Sequence, residues 1–311
     1  MQRLIAPRDN GAGDSMFRRL IQSCVSSRFG LATVCLLGVI GQPAAASIAS
    51  TASAVISYNS GTPTPLFDST YVYGSSSWTS GPALGLPATT VGGYYNGYYN
   101  DYSVITPFNA QYNPADFVGI SGAGGSIEFQ LSQSIATNGF TLSVQSGIGL
   151  YDATGNGDNL PTAAYYNNPQ NATVFVSQDG THWVSLGDTS FTIPTNVYTD
   201  VSGPYTNTPG TILADFAKPF TGTLASFNGE SFQQTLATLN GSGGGTWFDL
   251  SGTGLSEVNY VMLETDADNM SDEADETMYV NAITGIAVPE PGSGMLIIGL
   301  LSIGAMRRRR K

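Results

Sequence analysis

The chain has 311 residues, of which 38 are glycine and only 11% are charged, a composition that favours a loop-rich β protein over a helical one. The formal net charge is −12, and between Ser47 and Ala287 twenty acidic residues accompany a single basic one, Lys218, which leaves this region at about −19 (20 less 1). A body this acidic repels phosphate backbones and anionic lipid surfaces, so nucleic acid is excluded as a partner.

Residues 1–46 have the order of a secretory signal peptide. A basic stretch ending at Arg28 precedes an apolar run over residues 29–40, and three alanines at 44–46 supply an A-x-A cleavage site. We therefore predict export through the Sec translocon and cleavage before Ser47. The apolar run is short for a bilayer span, although an uncleaved membrane anchor is the alternative.

Two further features of this segment shape the mature protein. Met16 is an alternative start, because the residues before it make the basic region unusually long. Cys24 and Cys35, the two cysteines of the chain, both lie in the predicted signal peptide, so the mature body would have no disulfide. Its stability must then come from a hydrophobic core, with calcium as a candidate additional stabiliser.

Alternating apolar segments predict an all-β body. Phe140, Leu142 and Val144 show the period of two that is typical of a half-buried strand, and a helical turn is expected around residues 231–239. An Asp179-Gly180 pair between two β segments predicts a hairpin, with Trp183 covering the core and His182, the only histidine, as an exposed strand residue. The predicted strands lie near residues 54–58, 116–120, 126–131, 139–145, 173–177, 182–186, 258–264 and 277–286.

Residues 93–102 are rich in tyrosine and contain a near-duplicate of Gly-Tyr-Tyr-Asn. Exposed tyrosine rings can stack on sugar rings, and the hydroxyl can orient the sugar. A flexible low-complexity loop is the alternative interpretation. The candidate stacking residues are Tyr94, Tyr95, Tyr98 and Tyr99.

Two acidic segments are candidate calcium sites, because calcium prefers oxygen ligands. In the first, Asp152, Asn156 and Asp158 place oxygen-bearing side chains around a glycine turn. In the second, residues 266–276 crowd six carboxylates between the last two predicted strands. Metal-free alternatives are an Asx-rich turn for the first segment and a solvated loop for the second. The candidate ligands in the second segment are Asp266, Asp268 and Asp272.

The C-terminal segment, residues 288–311, combines three features in a fixed order. A Pro-Glu-Pro motif precedes an apolar stretch over residues 292–306, and a basic cluster follows. The prolines enforce an extended segment that a peptidase can bind. The apolar helix is expected to enter the bilayer, with the basic residues on the cytoplasmic side. The motif residues are Pro289, Glu290 and Pro291, and the basic cluster is Arg307, Arg308, Arg309, Arg310 and Lys311.

This arrangement resembles the PEP-CTERM sorting signal. The resemblance implies that an exosortase in the inner membrane of a Gram-negative bacterium recognises the motif and removes the tail. The protein would then reach the cell surface or the extracellular polysaccharide matrix. An ordinary C-terminal membrane anchor is the alternative.

The body resembles the discoidin-like, galactose-binding-like jelly rolls. The hairpin "V-F-V-S-Q-D-G-T-H-W" at 174–183 is similar to their central hairpin, and Asn281 stands where these domains usually have Asp. The resemblance implies a jelly-roll β-sandwich over residues 80–287. An extension at residues 47–79, which contains the first strand, precedes it. Domains of this group often hold a structural calcium. Residues 188–247 form a long insert, which is either a decorated loop or a solvated spacer. The other matching pieces are 83–87, 117–129, 248–263 and 279–286.

We therefore expect a non-catalytic surface protein that binds carbohydrate or another matrix component. One histidine and a single body lysine leave no nucleophilic triad and no clamp for phosphate or carboxylate. The alternatives are a structural matrix component without a selective ligand and an extracellular glycosidase. Two carboxylates facing each other across an aromatic cleft would indicate the glycosidase.

Overall fold

A computed structural model describes residues 49–62, 83–91, 93–95, 99–101, 103–110, 117–152, 154–158, 165–166, 170–265 and 277–288. All of them belong to one compact unit, Ser47–Lys311. The predicted signal peptide and the sorting motif lie outside the described residues.

The body is built mainly from β-strands, which confirms the all-β prediction. The described residues contain one α-helix, α1 (Phe232–Leu239), and one short 3-10 helix (Leu224–Phe227). The strands are β1 Ala49–Asn59, β2 Gly61–Thr62, β3 Gly93–Tyr95, β4 Tyr99–Asp101, β5 Val118–Gly122, β6 Ser126–Ala136, β7 Phe140–Ser146, β8 Gly149–Leu150, β9 Tyr165–Tyr166, β10 Gln170–Ser177, β11 Trp183–Phe191, β12 Thr246–Asp249, β13 Glu257–Glu264 and β14 Thr277–Ile286.

Two sheets, antiparallel except for the short parallel pair of β2 with β5, share strand β1. Its first residues pair with β14, with Ala49 opposite Ile286, and the rest pairs with β6 after a register shift between Ala52 and Ala54. One sheet has the order β11-β10-β13-β6-β1. The other sheet centres on β14, which pairs with β5, β7 and β1, while β12 pairs with β7. The shared strand joins the two sheets into one two-sheet body.

The main core lies between the inner faces of these sheets. Fully buried side chains from both sheets belong to one contacting cluster, as the alternating pattern of β6, β10 and β13 predicts. The expectation of a half-buried β7 is wrong, because residues 141–146 are buried on both faces and Phe140 is exposed. Burying such side chains is the dominant source of stability for a body that, within the described residues, has no disulfide. Representative members are Ile127, Phe129, Val174, Val176, Val261 and Leu263 from one sheet and Val118, Leu142, Val144, Val280 and Ile283 from the other.

The strand directions separate two kinds of connection. Short turns at residues 137–139, 178–182 and 250–256 join strands at one end of the body, which we call the short-turn end. At the opposite end, the long-loop end, the chain leaves and re-enters the sheets through 147–169, 192–245 and 265–276, and one short turn at 123–125 lies beside them. The register establishes this arrangement, because Gln170 pairs with Phe191 and Val144 pairs with Thr246.

The predicted hairpin is present, but its details differ from the prediction. β10 and β11 pair from Ser177–Trp183 onward, so a five-residue turn, 178–182, replaces a two-residue Asp-Gly turn and places His182 in the turn instead of the strand. Val184 and Leu186 pack against the main core. Because neighbouring strand residues alternate between faces, Trp183 points to the outer face, where it is half-buried. The expectation that Trp183 covers the core is therefore wrong.

Among the described residues, no helix is long and apolar enough to cross a membrane. The apolar stretch predicted to do so, residues 292–306, is not among them.

Candidate functional site

The insert at residues 188–247 forms part of a second hydrophobic core at the long-loop end. Phe227 is fully buried and stacks on Phe220 with ring centroids 5.5 Å apart, and Phe232 meets Phe108 edge-on at 5.7 Å. The insert is therefore a packed structure, and the interpretation as a solvated spacer is wrong. The buried residues of this second core are Val104, Phe108, Leu150, Ile193, Val201, Phe227, Phe232, Leu236 and Leu239.

The end of the insert shows why the packing is tight. Residues 241–245, Gly-Ser-Gly-Gly-Gly, resemble a flexible linker in composition, yet Gly243, Gly244 and Gly245 are buried. Gly244 has φ +71°, and a Cβ at this position would lie 2.0 Å from the carbonyl oxygen of Pro194. Only glycine fits such a close approach with a positive φ. These glycines let the returning chain lie directly against residues 194–196.

Lys218 also has a structural role in the insert. Its Nζ donates a hydrogen bond to the carbonyl oxygen of Asn240, the left-handed residue (φ 50°) that ends helix α1. The C-terminal carbonyls of a helix lack partners within the helix and carry partial negative charge, so a lysine here both caps and neutralises the helix end. The only basic residue between Ser47 and Ala287 is thus used to hold the second core together.

The tyrosine-rich segment forms a short hairpin, β3–β4, where no strand was predicted. Its base is fixed to the insert, since Val91 and Ile105 pack with Val197 in a small buried cluster. The Val91 amide also donates to the carbonyl of Ser103 at 2.8 Å. The backbone of Tyr94, Tyr95 and Tyr99 lies in this hairpin, whereas their side chains and all of Tyr98 lie outside the described residues.

The Asp152–Asp158 segment is held by its own hydrogen bonds. Asp152 Oδ1 accepts from the Thr154 amide at 3.0 Å and from the Thr154 hydroxyl at 2.7 Å, and Oδ2 accepts from the Gly157 amide. Burial raises the pKa of Asp152, but the hydrogen bonds from Thr154, Gly157 and Gly155 outweigh it and lower the pKa below its usual value. This is the pattern of an Asx turn, in which the carboxylate is used within the loop.

The same segment is docked onto the insert. The Phe232 amide, at the start of α1, donates to the carbonyl of Gly157 at 2.8 Å. A Cβ on Gly157, which has φ +67°, would lie 2.9 Å from Pro204 and 3.1 Å from the Cβ of Phe232. The insert therefore positions both the tyrosine hairpin and the Asp152 loop at the long-loop end.

The calcium prediction for the Asp152 loop meets a specific obstacle. Both oxygens of Asp152 already accept hydrogen bonds within the loop, and Asp158 Oδ2 accepts from Asn156 Nδ2 at 2.7 Å. In the part of the chain that the structure describes, no group of three or more His, Cys, Asp or Glu residues could hold a metal ion. The donor set fits a metal-free turn, and calcium binding here stays a prediction.

The second acidic segment, with Asp266, Asp268 and Asp272, lies outside the described residues. Its flanking residues are informative nonetheless. Thr265 is buried and donates from Oγ1 to the Gly122 carbonyl at 3.0 Å, and Thr277 pairs with Ser121 in the sheet. The segment therefore starts and ends at the long-loop end.

Two exposed aromatic residues at this end were missed by the sequence analysis. Tyr151 directly precedes the Asp152 loop and is 48% exposed, and Tyr205, which is 42% exposed, follows the proline that contacts Gly157. Neither tyrosine lies in a repeated pattern, so only proximity to the Asp152 loop could have singled out Tyr151, and no local signal marks Tyr205.

The short-turn end carries one ion pair, between Asp179 and His182. Asp179 Oδ2 lies 2.8 Å from His182 Nδ1, and both side chains are largely exposed. The amides of His182 and Thr181 donate to Asp179 Oδ1, each at 2.8 Å. The amide and ring of His182 hold the pKa of Asp179 well below its usual range. These contacts close the hairpin turn, with the Thr181 hydroxyl 3.1 Å from His182 Nδ1.

Comparison with known proteins identifies one region of the chain. A family model for the PEP-CTERM protein-sorting motif matches residues 287–311, which confirms the sorting tail predicted from the Pro-Glu-Pro motif. No curated protein and no solved structure matches the chain. The motif implies export, membrane-associated sorting through the C-terminal segment by an exosortase, and subsequent display at the surface.

Proposed function

We propose that the protein is an exported, non-catalytic surface protein whose tail is removed by an exosortase and whose body binds carbohydrate at the long-loop end. The observation that carries the sorting part is the PEP-CTERM match over residues 287–311. Display at the surface or in the matrix of a Gram-negative cell is part of this proposal, and the same signal supports it.

The binding part rests on how the second core is built. The insert anchors the backbone at the base of the tyrosine hairpin and the Asp152 loop, so both segments are attached to the same packed insert. Binding residues are commonly placed on loops that a rigid scaffold positions. The net negative charge of the body favours neutral over anionic polysaccharides.

The discoidin-like jelly roll remains part of this proposal. Two antiparallel sheets that share a core support it, as does the β10–β11 hairpin that carries its most distinctive sequence. Binding through the loops at one end of the sheets is the mode that this resemblance implies. A structural matrix component without a selective ligand is the competing function.

The sorting proposal is tested by replacing Pro289, Glu290 and Pro291 with alanine in a host that has an exosortase. We expect the wild-type tail to be removed and the variant to stay full-length in the membrane fraction, as followed by immunoblotting of membrane and released fractions. A matched control replaces three exposed residues of the insert, Asn207, Thr208 and Pro209, with alanine and should be processed normally. Release of the tail variant at the wild-type rate would refute the proposal.

The binding proposal is tested on a glycan array with the processed protein. We expect selective, saturable binding that is lost when Tyr94, Tyr95, Tyr98 and Tyr99 are changed to alanine. The matched control is Trp183→Ala, which removes an aromatic ring from the opposite half of the molecule and should bind like the wild type. Absence of any selective glycan would favour the structural matrix component.

A further inference from the structure

The folded body extends to the residue directly before the sorting motif. Ala287 is buried and forms an antiparallel bridge with Ile135, and the Val288 amide donates to the Ser134 carbonyl at 2.8 Å. Val288 is followed at once by Pro289. The tail therefore starts where the sheet ends, without a linker between them.

The place where the chain leaves the body is the short-turn end. Ser134 and Ile135 lie near the end of β6, which ends at Ala136 just before the turn at 137–139. The body also begins here, because Ala49 pairs with Ile286 at the start of β1. Ala49 and Val288, the first and last described residues of the body, are thus at the same end.

The distance to the membrane is short. From Val288 to Gly292, where the apolar stretch begins, the chain makes four steps, which span at most about 13–14 Å when fully extended. The headgroup layer of one leaflet is about 5–8 Å thick, so it accounts for about half of this distance. By comparison, the ten steps of β6 from Ser126 to Ala136 span about 33 Å between the two ends of the body.

Electrostatics decides between an upright and a flat orientation. The acidic body is repelled by anionic headgroups, and this repulsion acts over a Debye length of about 8 Å at physiological salt. The short-turn end itself carries Asp179, Asp249 and Glu257, so the tether, and not attraction, holds that end near the bilayer. An upright body keeps the acidic residues of the long-loop end, such as Asp152, Asp158 and Glu264, outside this range.

We propose that, in the precursor that still carries its tail, the short-turn end is held against the membrane and the long-loop end points away from it. This inference rests on the proposed sorting function, since it requires the tail to enter the bilayer. It assigns a membrane-facing role to the turns at 137–139, 178–182 and 250–256. The candidate carbohydrate site is then displayed outward before the tail is removed.

The test uses the tail-bearing precursor from which the signal peptide has been cleaved. This protein has no cysteine, because Cys24 and Cys35 both lie in the cleaved segment. Single cysteines are introduced by Gly252→Cys at the short-turn end and Ala123→Cys at the long-loop end, both at exposed positions. Each variant is labelled with a donor dye and reconstituted into vesicles of zwitterionic and anionic lipids that contain a headgroup-linked acceptor dye. Energy transfer then reports the distance of each end from the headgroups.

We expect several-fold greater energy transfer from position 252 than from position 123. Inserting a long Gly/Ser linker between Val288 and Pro289 should largely abolish the difference, because the body is then free to tumble. Equal transfer in vesicle-bound protein without the linker, or greater transfer from position 123, would overturn the inference and leave the sorting proposal intact. A precursor that does not co-sediment with the vesicles would overturn both.

Discussion

The connections at the two ends of the body are ordered by different interactions. At the short-turn end, three turns bond directly to one another and to the adjoining strand. The Thr137 hydroxyl donates to the Leu255 carbonyl at 2.9 Å, the Ser256 hydroxyl donates to Gln178 Oε1 at 3.1 Å, and Asn259 Nδ2 donates to the Gln178 carbonyl at 2.8 Å. Short connections lose little conformational entropy on folding, so a few hydrogen bonds suffice.

The long-loop end needs a hydrophobic core of its own. Ordering a segment as long as 192–245 is entropically costly, and surface hydrogen bonds alone would not offset that cost. Burial of Phe227, Phe232 and Leu239 supplies the missing free energy. In this body, the long connections are therefore ordered by apolar side chains of their own, whereas the short turns are ordered by hydrogen bonds.

The largest expected effect comes from opening the second core. Phe227→Ala should lower the free energy of unfolding by about 3–5 kcal/mol, because the ring is fully buried. Hydrogen exchange should show loss of protection in residues 103–110 and 192–245 while β6, β10 and β13 stay protected. A uniform loss of protection over the whole body would mean that the two cores unfold together and that the two ends do not differ in stability.

Calcium is expected to act only at the long-loop end. A cation bound solely by the folded state stabilises it by about 2.7 kcal/mol at a hundredfold excess over the dissociation constant. Millimolar calcium should raise the melting temperature more than NaCl of equal ionic strength. Changing Asp152 and Asp158, or Asp266 and Asp268, to asparagine should remove the gain, whereas Asp179→Asn should not. Identical melting curves in calcium and NaCl would leave both acidic segments as metal-free loops.

The stability of the body should be sensitive to a single added methyl group in the glycine-rich segment at residues 241–245. Gly244→Ala should cost about 2 kcal/mol, since the added Cβ would collide with the Pro194 carbonyl and the backbone has a positive φ. Gly252→Ala is the matched control at the short-turn end, where no atom lies within 4 Å of the added Cβ. Urea melts of the two variants test this, and equal midpoints would show that residues 241–245 are not tightly packed.

Asp152 should make the long-loop end sensitive to acid. Its pKa is lowered in the folded state, so its stabilising contribution is present above the ordinary aspartate pKa of about 3.9 and disappears as pH falls through the lowered folded value. The stability difference between wild type and Asp152→Asn should therefore be larger at pH 6 than at pH 3. A difference that does not change with pH in urea melts would contradict the hydrogen-bonded Asx turn.

The smallest expected effect concerns Trp183. Because this ring lies half-buried on the outer face, Trp183→Ala should cost less than about 1 kcal/mol. Trp247→Ala should cost about 3–5 kcal/mol, since Trp247 is buried and its Nε1 donates to the Gly244 carbonyl at 3.0 Å. Denaturant melts that rank the two variants in the opposite order would place Trp183 in the core.

The strands could be predicted because their signal is local. The alternation in Phe140–Val144 and the apolar segment at 277–286 predict β7 and β14 closely, and Ser231 was expected at the start of the helix that begins at Phe232. β12 was missed because Thr246–Asp249 is short and follows a glycine run that is typical of a linker. Nothing local reveals that this run is buried against Pro194.

By itself, the sequence determined the all-β class and the C-terminal sorting tail, and it predicts the signal peptide. These features depend on periodicity, composition and residue order within one segment, and each can be recognised without knowing what lies beside it. Only the tertiary structure decided which face Trp183 occupies, that the insert forms a second core, and that the tail leaves from the short-turn end. These facts depend on contacts between residues far apart in the chain, such as Ile135 with Ala287 and Gly157 with Phe232, which no local pattern encodes.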